Sequence, residues 1–248
     1  MWWLAHGEHE VPSSHDWLSQ HELSHLDSIR FTKRRNEYLT RRWTAKQAVA
    51  AVLELDRSPP SIKRIEVRHH ASGAPYVTLD GAPADVDVSI SDRAGWAVCL
   101  IGPPGSAEAG TLGIDLEIVE PRSDGFVADF FTSTERDVVR DLHDSDRDAT
   151  INLIWSAKEA ALKVQQVGLR ADTRTVEVEF ETGRRPNGWS AMTVTGHDAR
   201  MPGWWRRDGV FLLTIAFAAE TEPPQQLSNG SNLAGATPIH SWVERPTC

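Results

Sequence analysis

Acidic and basic side chains share one predicted helix face in residues 155–163, which read WSAKEAALK. Trp155, Glu159 and Lys163 are spaced four residues apart, so a helix places all three on one side. An acid between Lys158 and Lys163 suits a site that combines a metal ion, a phosphate and a proton transfer. The neighbouring apolar residues would hold this helix in a core: Ile151, Ile154, Ala161, Leu162 and Val164.

A second acidic pattern lies upstream in residues 113–117, which read GIDLE. Asp115 and Glu117 alternate with apolar residues, and this period of two predicts a strand with both carboxylates on one face. Together with Glu159 they would form an all-oxygen ligand set, which Mg²⁺ prefers. The sequence therefore predicts Asp115, Glu117 and Glu159 as metal ligands, and it leaves Mn²⁺ open as an alternative ion.

Positive charge is concentrated in residues 30–46, where seven lysines and arginines accompany a single acid, Glu37. The whole chain of 248 residues carries a formal net charge of -9, which argues against non-specific binding of nucleic acid. A basic segment in an acidic chain is a candidate site for a phosphate-rich small molecule. The same pattern also fits the solvated face of an amphipathic helix.

The composition is that of an ordinary soluble globular protein, with 40% hydrophobic and 25% charged residues. The two cysteines, Cys99 and Cys248, indicate no disulfide framework. Residues 1–10 contain no apolar run of signal-peptide length, and no stretch approaches the ~18 apolar residues that span a bilayer. We therefore expect a cytoplasmic protein with no membrane partner.

Several elements are predicted from periodicity and capping signals. Helices are expected over 19–31, where Ser19 and Glu22 have capping-box spacing, and over 33–55. Strands are expected at 2–5, 62–67, 86–90 and 96–101. Residues 144–148 are predicted as a charged loop, and residues after 219 as a polar tail from which 239–243 dock back as a short strand.

The second half of the sequence repeats the first. WTAKQA at 43–48 matches WSAKEA at 155–160 with an offset of 112 residues, and the surrounding elements follow in the same order. This predicts an α+β fold of two similar lobes, an internal duplication with pseudo-twofold symmetry and an active site in the cleft between them. The predicted ranges are 1–110 for a basic lobe, 111–220 for the metal and catalytic lobe, and 221–248 for a tail. Paired lobes favour a monomer.

Both patterns resemble the signatures of one enzyme family. GIDLE at 113–117 and W-S-x-K-E-A-x-x-K at 155–163 are similar to those of 4′-phosphopantetheinyl transferases of the two-lobed, surfactin-synthetase-activating type. Paired signatures are more specific than either one alone. The similarity extends from the start of the chain to about residue 219, and it includes Ser89-Ile90-Ser91, the Gly73-x-Pro75 turn, Gly168-Leu169 and the basic runs 33–35 and 41–43.

The resemblance implies a Mg²⁺-dependent transferase that moves the 4′-phosphopantetheine arm of coenzyme A to a serine of an apo acyl or peptidyl carrier protein, releasing 3′,5′-ADP. It implies Glu159, Lys163 and Asp115 as catalytic residues, with Glu159 accepting the serine proton directly or through water. A carrier protein of a fatty-acid, a polyketide or a peptide-synthetase system would each fit, and the candidate contacts with it are Phe130, Phe131 and Val138. The implied coenzyme A contacts are Arg35, Arg42, Lys46, Ser91, Asp92, Lys158 and Lys163.

Two positions depart from the family pattern: Asp92 stands where a histidine is usual, and Ala74 where a lysine is usual. A carboxylate near phosphate is unfavourable unless Arg93 compensates, so we hypothesise weakened discrimination for the 3′-phosphate of coenzyme A. Two other functions are open from the sequence. One is a non-catalytic protein that binds coenzyme A or carrier proteins, and the other is a metal-dependent phosphodiesterase that uses the same carboxylates.

Overall fold

The computed structural model describes residues 1–106, 112–166, 171–183, 187–197 and 199–240, without the side chains of residues 144 and 145. The chain divides into two compact units, Met1–Ala109 with Pro224–Asn232 and Gly110–Pro223 with Leu233–Cys248. Each unit contains both helices and strands, so the predicted α+β class is confirmed. Among the described residues, no helix is long and apolar enough to cross a membrane.

The helices predicted over 19–31 and 33–55 and the strands predicted at 2–5, 62–67, 86–90 and 96–101 are present, with bounds shifted by a few residues. The strands are β1 (Trp2–Gly7), β2 (Ile65–His69), β3 (Pro75–Leu79), β4 (Ala82–Pro83), β5 (Val88–Arg93), β6 (Trp96–Ile101), β7 (Leu112–Ile118), β8 (Val176–Phe180), β9 (Ser190–Gly196), β10 (Arg200–Asp208), β11 (Phe211–Phe217) and β12 (Gln225–Gln226). The helices are α1 (Gln20–Ser28), α2 (Thr32–Val52), α3 (Pro59–Ile62), α4 (Asp124–Phe130), α5 (Ser133–Arg140) and α6 (Asp144–Val164).

In the first unit, α2 packs against a sheet with the strand order β12-β1-β6-β5. Ala45 and Ala48 of α2 are fully buried, and their small side chains let the helix approach the sheet closely. A smaller sheet, β2-β3-β4, completes the unit. Helix α1 begins with the predicted capping box, in which Ser19 Oγ accepts from the Glu22 N–H and the Glu22 carboxylate accepts from the Ser19 N–H.

Residues 224–232 form a strap along β1. Gln225 and Gln226 pair in parallel with the start of β1, after which Leu227 N–H donates to Trp3 O and Ser231 N–H donates to Ala5 O, both at 2.9 Å. The predicted tail is thus divided, because residues 224–232 belong to the first unit and residues from 233 onward to the second. The short strand predicted at 239–243 extends beyond the described residues.

In the second unit, α6 lies against a five-stranded antiparallel sheet with the order β7-β11-β10-β9-β8. The apolar stripe of α6 is buried as predicted, with Ile151, Ile154 and Ala161 at most 1% exposed. Strand β7 is buried along its whole length, so Asp115 and Glu117 lie in an enclosed environment. This burial strengthens electrostatic effects among these acids.

The prediction of a charged loop at 144–148 is wrong. Residues 144–164 form one helix of 21 residues, α6, which begins after His143. Acidic residues are compatible with a helix start because the first turn carries partial positive charge from its free N–H groups. The polar composition of this segment led to the loop prediction. Acidic residues are equally common in the first turn of a helix, so composition alone does not distinguish the two structures.

Close contact between β7 and α6 depends on a glycine. A Cβ at Gly113 would lie 2.0 Å from the backbone carbonyl oxygen of Ala160. We expect Gly113→Ala to push α6 away from β7 and to lower the free energy of unfolding by about 1–3 kcal/mol. Urea denaturation measures this, with Gly125→Ala as the control.

Gly125 lies in α4, and its added Cβ would meet nothing closer than Ser123 Oγ at 3.7 Å. This control is expected to leave stability unchanged or to raise it by up to about 1 kcal/mol, because alanine is the better helix former. Equal stability of Gly113→Ala and the wild type would contradict the predicted contact.

Candidate active site

Asp115 connects the strand and helix signatures. Its Oδ2 accepts a hydrogen bond from Ser156 Oγ at 2.8 Å, and its Oδ1 accepts from Lys163 Nζ at 3.0 Å. Lys163 Nζ also donates to the Ile114 carbonyl oxygen at 2.6 Å. The structure therefore brings Asp115 and Lys163 together, and both of these contacts join β7 to α6.

Glu159 lies one helical turn before Lys163 on α6. Its Oε1 atom is buried and has no hydrogen-bond partner. Burial, together with the negative charges of Asp115 and Glu117, raises the pKa of Glu159 to about 7 against the lowering effect of Lys163. A carboxyl group whose pKa lies near neutral pH is suited to accept a proton from a substrate.

Glu117, the second acid of β7, is paired with a residue that sequence analysis missed. Arg122 Nη2 lies 3.3 Å from Glu117 Oε2 and 3.1 Å from Glu120 Oε1, and its Nε donates to Asn152 Oδ1 at 2.9 Å. No sequence pattern marked Arg122, because it lies after the end of β7. The arginine holds two acids at the end of this strand.

The chemistry of this acid set fits a hard divalent cation. Asp115, Glu117 and Glu159 offer carboxylate oxygens, and Glu159 contributes a buried oxygen without a partner. Among the described residues, no group of three or more His, Cys, Asp or Glu side chains is already arranged to hold a metal ion. The Lys163 ammonium contacts Asp115, and the Arg122 guanidinium contacts Glu117. The metal-ligand assignment stays a prediction.

Lys158 does not contact the acid set, contrary to its predicted role in binding coenzyme A. Its side chain is fully buried, with Nζ 2.7 Å from Glu135 Oε2 and donating to the carbonyl oxygens of Thr173 at 2.9 Å and Val176 at 2.8 Å. Glu135 Oε1 accepts in turn from the Val178 N–H at 3.0 Å. The ammonium is enclosed by these partners, so Lys158 joins α6 to α5 and β8.

Lys46 occupies the position equivalent to Lys158 in the first unit. Like Lys158, it is enclosed by protein partners and does not form the predicted contact surface for coenzyme A. Its side chain is fully buried, with Nζ 2.5 Å from Glu22 Oε2 and donating to the Trp17 carbonyl oxygen at 2.8 Å. Glu22 Oε1 accepts from the Val67 N–H at 3.2 Å. Each unit thus contains a buried ion cluster, defined as Glu22–Lys46 in the first and Glu135–Lys158 in the second.

Arg35 and Arg42 also turn inward. Arg35 Nη1 donates to the Leu26 carbonyl oxygen at 2.6 Å, which ties the end of α1 to α2. Arg42 is 6% exposed, and its guanidinium carbon lies 4.6 Å from the centre of the Tyr38 ring. A helix places neighbouring residues about 100° apart, so residues next to each other in a basic run face different directions. The exposed basic surface is therefore formed by arginines other than Arg35 and Arg42.

Those arginines line a cavity of about 600 Å³ at the end of α1 and the start of α2. Arg30, Arg34 and Arg41 contribute positive charge, and Phe31, which is 69% exposed, contributes an apolar ring. The complete lining is His25, Ser28, Ile29, Arg30, Phe31, Arg34, Glu37, Tyr38 and Arg41. Cations beside an exposed aromatic ring suit a ligand that carries both phosphate and a flat apolar group.

Asp92 lies beside this cavity through its pairing with Arg41. Arg41 Nη1 donates to Asp92 Oδ1 at 2.6 Å. The charge compensation that the sequence assigned to Arg93 thus involves Arg41. Ser91, the neighbouring predicted contact, is 8% exposed on β5.

The residues predicted to contact a carrier protein differ in exposure. Phe131 is fully buried and is therefore unavailable to a partner, whereas Val138 is 47% exposed. Phe130 is half-buried, and its ring lies 5.0 Å from that of Trp155. Phe131 directly follows α4 and packs against α6, so its side chain is part of the core of the second unit.

Comparison with protein-family models gives a match within the second unit. Residues 111–197 match the model of the 4′-phosphopantetheinyl transferase superfamily. This range lies in the second unit and contains Asp115, Glu117, Glu159 and Lys163. No curated protein matches the chain.

Among solved structures, the chain is similar to a holo-(acyl-carrier-protein) synthase from Bacillus anthracis in complex with CoA (3′,5′-ADP). The identity is 20%, the similarity covers 40% of this chain and 90% of that chain, and the TM-score is 0.34.

Proposed function

We propose that this protein transfers the 4′-phosphopantetheine arm of coenzyme A to a serine hydroxyl of an apo acyl or peptidyl carrier protein, with release of 3′,5′-ADP. The observation that carries the proposal is the environment of Glu159, a half-buried carboxyl group with one buried oxygen and a pKa of about 7, close to the charges of Asp115 and Lys163. The superfamily match over 111–197 supports it, because that range contains both signatures.

The acid set supplies the chemistry in this proposal. Glu159 accepts the proton of the carrier serine, for which its raised pKa is suited. Asp115, Glu117 and Glu159 would hold Mg²⁺ or Mn²⁺, which would neutralise charge on the pyrophosphate of coenzyme A. Lys163, whose side chain is 28% exposed, is the cation that can leave Asp115 to contact a phosphate oxygen.

The cavity of the first unit would bind the nucleotide end of coenzyme A. Arg30, Arg34 and Arg41 replace Arg35, Arg42 and Lys46 as the proposed phosphate contacts, since only the former line the cavity. Phe31 offers a ring on which a base can stack.

The buried ion clusters support an internal duplication of one α+β lobe. Both clusters begin at a capping box, on Ser19 in the first unit and Thr132 in the second. In both, the glutamate of that box binds a helix lysine and accepts from a strand N–H. Pseudo-twofold symmetry, a cleft between lobes, a monomer and a cytoplasmic location remain predictions, as does the surfactin-synthetase-activating type.

The test is incubation of the full chain with coenzyme A, Mg²⁺ and a panel of apo carrier proteins, followed by mass spectrometry of the carriers. We expect the carrier to gain the mass of one phosphopantetheine arm, and we expect no gain when EDTA is present during the incubation. Binding of coenzyme A without any mass gain would instead favour a non-catalytic binding protein. Release of phosphopantetheine without a carrier would favour a phosphodiesterase.

Asp92 is expected to weaken coenzyme A binding by competing for Arg41. Asp92→Asn should lower KM for coenzyme A by about 2–5-fold with kcat unchanged, because one partly exposed ion pair is worth up to about 1 kcal/mol. The preference for coenzyme A over dephospho-coenzyme A should rise in the same variant. Steady-state kinetics measure both effects.

Asp80→Asn is the matched control for this variant, because it removes the partner of the exposed Arg64. That ion pair does not line the cavity, so KM should not change. A higher KM in Asp92→Asn would mean that Asp92 itself contacts the substrate.

A further inference from the structure

We propose that Ser156, supported by Thr214, is a positioning residue that fixes the carboxylate of Asp115 for metal binding. This inference rests on the proposed function and assigns roles to two hydroxyl groups that take no part in the chemistry described above. Neither hydroxyl touches a reacting atom, so both act through Asp115.

The direction of the hydrogen bonds follows from the number of hydroxyl protons. Ser156 Oγ has one proton and donates it to Asp115 Oδ2 at 2.8 Å. The 2.8 Å contact between Ser156 Oγ and Thr214 Oγ1 must then use the proton of Thr214. The result is a chain of two bonds that runs from Thr214 through Ser156 to Asp115.

This chain fixes the orientation of the carboxylate. Oδ2 is turned towards Ser156, so Oδ1 faces the Lys163 ammonium at 3.0 Å. Ser156 and Thr214 are both fully buried, so bulk water does not reach either hydroxyl. Thr214 lies directly opposite Asp115 in the pairing of β11 with β7, which places all three groups on adjoining elements.

The first unit contains a hydroxyl at the helix position equivalent to Ser156, but this hydroxyl does not contact a carboxylate. Thr44 precedes Ser156 by the repeat offset of 112 residues and is also fully buried. Its Oγ1 donates to the Thr40 carbonyl oxygen of its own helix at 2.8 Å. At the equivalent position of the second unit, the hydroxyl donates to Asp115 on a neighbouring strand instead.

The test compares three variants of the full chain with the wild type. Ser156→Ala removes the donor, and Thr214→Val removes the group behind it while keeping its shape. Thr44→Ala is the matched control, because it removes a buried hydroxyl at the repeat position of the first unit. Mg²⁺ binding is measured by calorimetry with and without coenzyme A, and the Mg²⁺ and coenzyme A dependence of transfer is measured in parallel.

We expect Ser156→Ala to weaken Mg²⁺ binding by about 10–100-fold and Thr214→Val by about threefold to tenfold. At saturating Mg²⁺, KM for coenzyme A should not change, and Thr44→Ala should bind Mg²⁺ as the wild type does. A purely structural role would lower the melting temperature of Ser156→Ala while leaving Mg²⁺ binding intact, and that result would overturn the inference.

The remaining outcomes separate this inference from the proposed function. If the wild type transfers no arm but Ser156→Ala still weakens Mg²⁺ binding, the proposed function fails and the positioning role stands. If the wild type binds no Mg²⁺ with or without coenzyme A, the positioning role is overturned. Transfer by the wild type together with unchanged Mg²⁺ binding in Ser156→Ala leaves the function standing and overturns the inference.

Discussion

Replacement of Glu159 by glutamine is expected to reduce kcat for phosphopantetheine transfer by about 10²–10⁴-fold, the usual contribution of a general base. The amide keeps the size of the side chain but accepts no proton and is a poor metal ligand. The same variant should be more stable than the wild type at alkaline pH in metal-free buffer. Loss of activity together with a gain in stability is typical of a residue retained for function.

The sign of the stability change follows from the pKa of Glu159, which rises from 4.5 to about 7 on folding. Between these values the folded state binds the proton and the unfolded state does not, so the wild type loses stability as pH rises through this window. Above pH 7 the accumulated cost is about 3 kcal/mol, and Glu159→Gln does not incur it. Below pH 4 the two proteins should have similar stability.

Urea denaturation from pH 4 to pH 8.5 measures this effect, and the carrier assay measures kcat. Glu179→Gln is the matched control, because Glu179 is an exposed acid on β8 of the same unit. It should change neither quantity. Wild-type kcat in Glu159→Gln, or a stability difference that does not vary with pH, would contradict the assignment.

Replacement of Lys158 by methionine is expected to lower the free energy of unfolding of the second unit by about 3–5 kcal/mol. Methionine fills a similar volume but leaves Glu135 buried without its counter-ion, and it removes the ammonium donor from the carbonyl oxygens of Thr173 and Val176. Most of the cost comes from the uncompensated carboxylate. Adding Glu135→Gln should therefore recover part of the stability.

Chemical denaturation of the single and double variants measures the loss and the recovery. Arg140→Met is the control, because the Arg140–Asp137 pair is exposed and its loss should cost no more than about 0.5 kcal/mol. If Lys158 were a phosphate ligand, as the signature suggested, Lys158→Met would fold with wild-type stability and bind coenzyme A weakly.

The sequence predicted those features that depend on local patterns. The capping box of Ser19 and Glu22 and the apolar stripe of α6 are confirmed, because each depends on residues within a few positions of one another. Asp115 and Glu159 were correctly placed on a strand and a helix. Alternation and helical spacing are sufficient for such assignments.

Long-range contacts explain what the sequence could not show. Glu22 was recognised as a capping residue, but its contact with Lys46 depends on the packing of α1 against α2. The choice between Arg34 and Arg35 as a cavity residue depends on the rotation of α2 about its axis, which a run of basic residues leaves undetermined. Thr214 lies opposite Asp115 only because of the register of β11 with β7.

The strap of residues 224–232 has a consequence for synthesis of the protein on the ribosome. The partner strand of β1 is translated more than 200 residues after β1 itself. At ~5–20 residues per second, the first unit to emerge waits on the order of ten seconds for its final strand. During that interval the free edge of β1 is open to pairing with other nascent chains, and a chain that ends before Pro224 leaves that edge permanently unpaired.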